Sequence, residues 1–240
     1  MKKIVSIIGS PREKSMTFQV VDKIISDIKE RIEIESVIIK LCEKKINYCT
    51  GCESCFYKAS SCIQEDDMHY IEKEILSADL VIFASPVYAH NVTGIMKIFI
   101  DRISHWLHLM KLSGKYGIVV SVSDSNGNKF VDGYIEKIFE FLGISIIEKF
   151  EYYAVKNNYI ELYDDKINNI CQKLNKDFEV TNYEIKNTIF LTLQAAYLQQ
   201  YNLILQNIVE KKYCGEAIYW TEKGLLECKN YKEALKKMKL

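Results

Sequence analysis

The chain has 240 residues, 48% hydrophobic and 27% charged, enough for one domain of ordinary size with a substantial addition. Its 32 basic and 32 acidic residues cancel, so no net field would recruit nucleic acid or an anionic membrane surface. The apolar run from Ile4 to Ile8 is too short for a signal peptide core and far too short to span a bilayer, and the expected location is cytoplasmic. In that reducing compartment the eight cysteines are not expected to form a disulfide framework. Cys42, Cys171, Cys214 and Cys228 are scattered, as small buried hydrophobes are, whereas four others fall between Cys49 and Cys62.

Residues 2–8 read as a short buried strand stopped by Gly9. Val21, Ile24, Ile25 and Ile28 recur at helical spacing and predict an amphipathic helix over 16–30. A second strand is expected within 32–41. Residues 42–65, which hold the four clustered cysteines, show no clean period and read as a long loop, uncommon inside a compact domain unless it carries function. Asp66 or Asp67 is placed to cap a helix ending near Ser77, and Leu80 to Ala84 is a third buried strand ended by Ser85-Pro86.

A helix is expected over 93–111, with Ile95, Ile98, Phe99, Ile103, Trp106 and Leu107 facing inward and Asp101 and Arg102 marking a polar edge. His105 and His108 on that helix lack an obvious ligand partner and read as packing or surface residues. A fourth strand over 116–122, a helix over 128–142 and a fifth strand over 144–152 complete the alternation. Five strands alternating with helices imply an α/β fold with a doubly wound parallel sheet covered on both faces. From about 156 the alternation stops, and helices are expected at 164–178, 181–212 and 230–239. The organisation expected is a sheet domain over 1–155 and a helical C-terminal extension over 156–240, packed on that domain or on a partner subunit.

Only two prolines occur, Pro11 and Pro86, and each follows a serine directly after an expected strand. Proline cannot continue a ladder and biases the residue before it toward extended backbone. In a sheet ordered 2-1-3-4-5 the first and third strands are neighbours flanking the switch point, where ligands bind. The first of these loops carries hydroxyls at Ser10, Ser15 and Thr17 beside Arg12 and Lys14, just before a helix N-terminus. Such an end suits a phosphate monoester; an ordinary capped turn would use the same residues.

The segment GSPREKSMT resembles the phosphate loop of the flavodoxin-like NAD(P)H-dependent FMN reductases, and SPVYAHNVTGIMKIFIDR is similar to that family's second flavin loop and the helix after it. The resemblance covers roughly residues 2–150 and implies a flavodoxin-like five-stranded sheet of order 2-1-3-4-5. It implies FMN as cofactor, with Ser10, Arg12, Ser15, Met16 and Thr17 on the phosphate side and Pro86, Val87, Tyr88 and Ala89 along the ring and ribityl chain. His90 and Asn91 are further candidates. A third contact, including Ser123, would come from Ser121 to Gly127, where SVSDSNGN departs from the glycines common in the family. The cofactor carries the redox chemistry, so no catalytic acid or base is singled out.

Cys49-x2-Cys52-x2-Cys55-x6-Cys62 differs from the two widely separated pairs usual for structural zinc. Its first three cysteines resemble a ferredoxin cluster run, and the whole is similar to the compact motif of the iron–sulfur flavoproteins. That likeness implies a 4Fe-4S cluster on Cys49, Cys52, Cys55 and Cys62; free thiols, a labile disulfide and zinc remain open at this point. The expected function is an FMN-dependent oxidoreductase that takes electrons from NAD(P)H, its transient reductant, and passes them to a small acceptor such as a quinone or flavin. The alternative is an electron carrier exchanging electrons with ferredoxin-type redox partners. A homo-oligomer is expected, because the long C-terminal helix carries apolar residues that need burial.

Overall fold

The computed structural model describes residues 1–58, 62–155, 164–176 and 188–238. Five parallel strands, β1 (Lys2–Ile8), β2 (Ile34–Lys40), β3 (Leu80–Pro86), β4 (Tyr116–Ser123) and β5 (Ser145–Tyr153), form one sheet of order β2-β1-β3-β4-β5. The three central strands are almost wholly buried, whereas β2 and β5, at the edges, are partly exposed. A strand covered on both faces must be apolar on both, hence the unbroken runs in β1, β3 and β4.

Alternate residues serve opposite faces. Val5, Ile7, Val81, Phe83 and Val119 meet α3 (Met68–Ser77), α4 (Gly94–Arg102), α5 (Ser104–Leu109) and α6 (Asn128–Leu142). Ile4, Ile8, Ile82, Ile118 and Val120 meet α1 (Met16–Lys29) and α7 (Asp164–Leu174). A third apolar cluster joins α8 (Thr188–Glu210), α9 (Cys214–Glu222) and α10 (Tyr231–Met238) to Leu109 and Met110 at the end of α5. At its centre Tyr197 stacks on Trp220, with ring centroids 5.7 Å apart. The Tyr197 hydroxyl donates to the carbonyls of Leu225 and Cys228, and Trp220 Nε1 donates to that of His108.

Several expectations are corrected. The helix expected over 93–111 is two helices broken at Ile103, and its inward face is turned by one position: Met96, Phe99 and Ile100 are buried, whereas Ile95 and Ile98 are only half-buried. Arg102 is not a polar edge; its side chain is fully buried and ion-paired with Asp66. Lys97 and Asp101 form an ion pair with side chains about half exposed. The long cysteine loop contains a short helix, α2 (Ser54–Lys58), and α9 was not foreseen. Asp67 occupies the cap position of α3 without a side-chain bond to the helix, its carboxylate accepting instead from Lys45 N–H at 2.7 Å, while Asp66 accepts from the Met68 N–H at 3.0 Å. The expected helical residues 175–176 lie beyond the end of α7, and 177–178 and 181–187 fall outside the described residues. No helix among the described residues is long and apolar enough to cross a membrane.

Candidate functional site

The loops after β1 and β3 are fastened together at the carboxyl end of the sheet. Gly9 N–H donates to the Ala84 carbonyl at 2.7 Å, and the Thr93 hydroxyl donates to the Gly9 carbonyl at 2.5 Å. A Cβ at Gly9 would sit 2.7 Å from Met96 Cβ, so this approach excludes any side chain. Ser15, in extended backbone, caps α1 by accepting from Phe18 N–H at 3.2 Å. The N–H groups of Met16 and Thr17 have no carbonyl partner within the helix, and the first turn of α1 carries no acidic residue. Exposed Arg12 and Lys14 stand beside that end, with Arg12 N–H donating to Ser10 Oγ at 3.2 Å.

The second loop is set by a two-residue turn in which Tyr88 and Asn91 exchange both backbone hydrogen bonds, at 2.9 and 3.0 Å. Ala89 and His90 occupy its two central positions with φ of 48° and 58°, a left-handed conformation usually left to Asn-Gly pairs. Val87 N–H donates to the Val122 carbonyl at 2.8 Å, which ties this loop to the end of β4. Gly127 (φ 94°) closes the third loop, where a Cβ would come within 2.7 Å of Val87 Cγ1. The Ser123 hydroxyl donates to Asn128 Oδ1, whose amide nitrogen bridges the carbonyls of Ser121 and Tyr152.

These loops enclose a cavity of about 180 Å³. Ser10, Arg12, Ser15, Met16, Thr17, Pro86, Val87, Tyr88 and Ser123 line it; Ala89 does not, because the turn carries it beyond the rim. His90 and Asn91 are likewise absent from the lining, while Val122, Asp124 and Ala154 join it. One end offers hydroxyls, two cations and free helix amides. The other offers Pro86, Val87 and a half-exposed Tyr88. A phosphate monoester carrying a flat, partly apolar ring system matches both ends.

Cys49, Cys52, Cys55 and Cys62 line a second cavity, of about 50 Å³, beside the C-terminal end of α4, and none of them is in a disulfide. Burial, and after it the charge of Cys62, pushes the Cys55 thiol up to about 11, with smaller effects from Cys49 and Cys52. Among the described residues no three Cys, His, Asp or Glu side chains are placed to hold a single metal ion. A tetrahedral zinc with bonds of about 2.3 Å would draw its thiolates to within about 4 Å of one another, whereas a four-iron cube spaces them more widely, one on each iron.

The C-terminal helices cover one flank of this segment. Tyr213 donates to Glu53 Oε1 at 3.3 Å and Cys214 Sγ lies 3.5 Å from the Tyr57 carbonyl. The Phe56 ring packs against His108 and Tyr213, at 5.0 and 5.5 Å. His108 Nδ1 meets Glu216 Oε1 at 2.7 Å, and Asn207 donates to the other oxygen of that buried carboxyl. His105 is buried beside Phe56, and burial, more than the charges of Lys111 and His108, lowers its pKa to about 4.

A doubly wound sheet of this order, with a phosphate-type cradle and an aromatic wall at its switch point, is the architecture of the flavodoxin-like flavoproteins. The NADPH-dependent FMN reductase family matches residues 2–158; the chain belongs to that family and is a flavin oxidoreductase. An iron-sulfur flavoprotein of Archaeoglobus fulgidus is 34% identical over 228 residues, which cover 93% of this chain and all of the relative. One of Clostridioides difficile is 30% identical with the same coverage. Among solved structures, an NADH:FMN oxidoreductase in its apo form superimposes with a TM-score of 0.54 at 17% identity, covering 77% of this chain and 92% of its own. An FMN-dependent NADH-azoreductase of Bacillus anthracis in complex with FMN gives 0.51 at 15% identity, covering 72% and 96%. At such identity these two structures bear on the fold alone.

Proposed function

We propose that the cavity at the switch point holds FMN. Its phosphate would lie on the amides of Met16 and Thr17 and the hydroxyls of Ser10, Ser15 and Thr17, with Arg12 and Lys14 as counter-charges. Its ring would lie against Pro86, Val87 and Tyr88, with Ser123 and Asp124 toward the third loop. The observation that carries this reading is the division of one cavity into a cationic helix end and an apolar aromatic wall. Bound there, FMN supplies the electron-accepting and electron-donating chemistry; the chain binds it and orients it toward NAD(P)H and the acceptor. Retention of FMN but not riboflavin, with prompt bleaching of the flavin by NADPH or NADH, is expected. Bleaching only by a protein donor would favour a carrier without a small reductant.

The cysteine cavity supports a second component. Four thiols on one cavity, in a chain whose full-length relatives are named iron-sulfur flavoproteins, suit a 4Fe-4S cluster on Cys49, Cys52, Cys55 and Cys62. The flavin would then exchange electrons with a cluster in the same protein, and the final acceptor would be a small molecule or a redox protein. Pairing of two copies is the proposed fate of Leu191, Leu198 and Leu205, which are exposed on α8 at the seven-residue spacing of a helix seam. Light scattering should give a mass above 28.0 kDa that falls toward it when Leu198 and Leu205 become Glu.

A further inference from the structure

Arg102, the last residue of α4, and Asp66 have fully buried side chains. Arg102 Nη1 donates to Asp66 Oδ2 at 2.5 Å and Nη2 to Oδ1 at 3.1 Å, a two-pronged pair. Nη1 also donates to the Asn47 carbonyl at 2.8 Å. Asp66 in turn accepts from the N–H groups of Asn47, at 2.9 Å, and Met68, at 3.0 Å. Asn47 lies just before Cys49 and Asp66 just after Cys62. One guanidinium therefore ties together the two ends of the cysteine segment.

The tie leaves part of the guanidinium unused. Arg102 Nε is buried and has no hydrogen-bond partner among the described residues. Arg102 also lines the cysteine cavity, together with Cys62. Of the other charged residues around that cavity, Asp101 is half-exposed and already paired with Lys97, and Glu53 meets Tyr213. A buried cation costs the fold desolvation, and an apolar residue could fill the same space without that penalty. A negatively charged group on the four thiolates would use the spare donor.

Resting on the cluster reading above, we propose that Arg102 is the positioning residue of the cysteine site. Its fork to Asp66 holds the two ends of the Cys49–Cys62 segment in register. Its remaining donor favours the reduced, more negative state of the group bound to those thiolates. Hydrogen bonds near sulfur are among the recognised determinants of cluster potential.

The test uses full-length protein prepared anaerobically with FMN bound, as wild type, Arg102→Lys and the neutral pair Arg102→Gln with Asp66→Asn. Iron and sulfide content is read first. For the neutral pair, the cluster midpoint is expected to move to more negative values by at least the 59 mV that a tenfold change in a one-electron equilibrium represents. Arg102→Lys keeps the charge but not the fork, and should lose iron to a chelator about tenfold faster as the segment opens more often. After iron removal, with FMN retained, limited proteolysis within 44–65 should also be about tenfold faster in Arg102→Lys. An unchanged midpoint in the neutral pair, or unchanged chelation and proteolysis in Arg102→Lys, overturns the proposal. Wild type without iron or sulfide overturns the cluster reading itself, and the proteolysis then still decides whether Arg102 ties the segment.

Discussion

The Thr93 hydroxyl donates to the Gly9 carbonyl and accepts the Met96 N–H at 3.2 Å, so one buried side chain caps α4 and fastens the loop after β3 to the loop after β1. The two walls of the switch-point cavity are thereby held at a fixed separation. Thr93→Val keeps the shape and removes the hydroxyl, leaving a buried acceptor and donor unpaired. The expected loss is about 2 kcal/mol in urea unfolding, together with weaker FMN binding; Thr93→Ser should restore most of both.

Ser15 caps α1 and stands at the phosphate end of the cavity. Ser15→Ala should lower stability by about 1 kcal/mol. It should also weaken FMN binding by about tenfold, the effect of losing one hydrogen bond to a charged group. The weaker binding of riboflavin, which has no phosphate, should be unchanged. Fluorescence titration of both flavins against wild type and variant separates this specific effect from general loosening.

Burial lowers the His105 pKa to about 4 from its ordinary value of 6.5. The folded state then takes up the proton less readily than the unfolded chain, so stability is unaffected above about pH 6.5 and falls from there toward pH 4. The difference amounts to about 2 kcal/mol at pH 5. Urea unfolding of wild type and His105→Gln at pH 7 and pH 5 should show the variant losing less stability on acidification. Equal losses would count against a neutral buried imidazole.

Asp132 on α6 shows the opposite sign. Burial first, and the neighbouring Glu151 against the help of Ser121, raises its carboxyl to about 7. The folded state holds that proton more tightly than the unfolded chain, so stability is lost as pH rises from about 4 through 7. Asp132→Asn should therefore melt higher than wild type at pH 8, with a gap that narrows at pH 5. A gap independent of pH would contradict the assignment.

The rim of the sheet was legible because Pro11 and Pro86 interrupt two apolar runs at the same end of neighbouring strands, and short-range chemistry fixes both turns. The face of α4 was harder to read. Ile95, Ile98, Ile100 and Ile103 spread apolar character around the helix, and Met96 and Ile100, not Ile95 and Ile98, turn to the core. Arg102 read as a polar edge because its partner Asp66 lies 36 residues away in the chain. The packing of Cys214 and Tyr213 on α2 spans about 160 positions and has no local signal. Thr93 carries no local signal for its bond to Gly9, which depends on two strands being neighbours.

The most direct measurement is the visible spectrum of anaerobically purified full-length protein, read with its iron and sulfide content. The account predicts flavin bands above a broad brown absorbance, one FMN per chain, and about four iron and four sulfide atoms per chain on the cysteine site. Colourless protein that takes up no FMN would contradict the flavin site, and flavin bands without iron or sulfide would contradict the paired cluster.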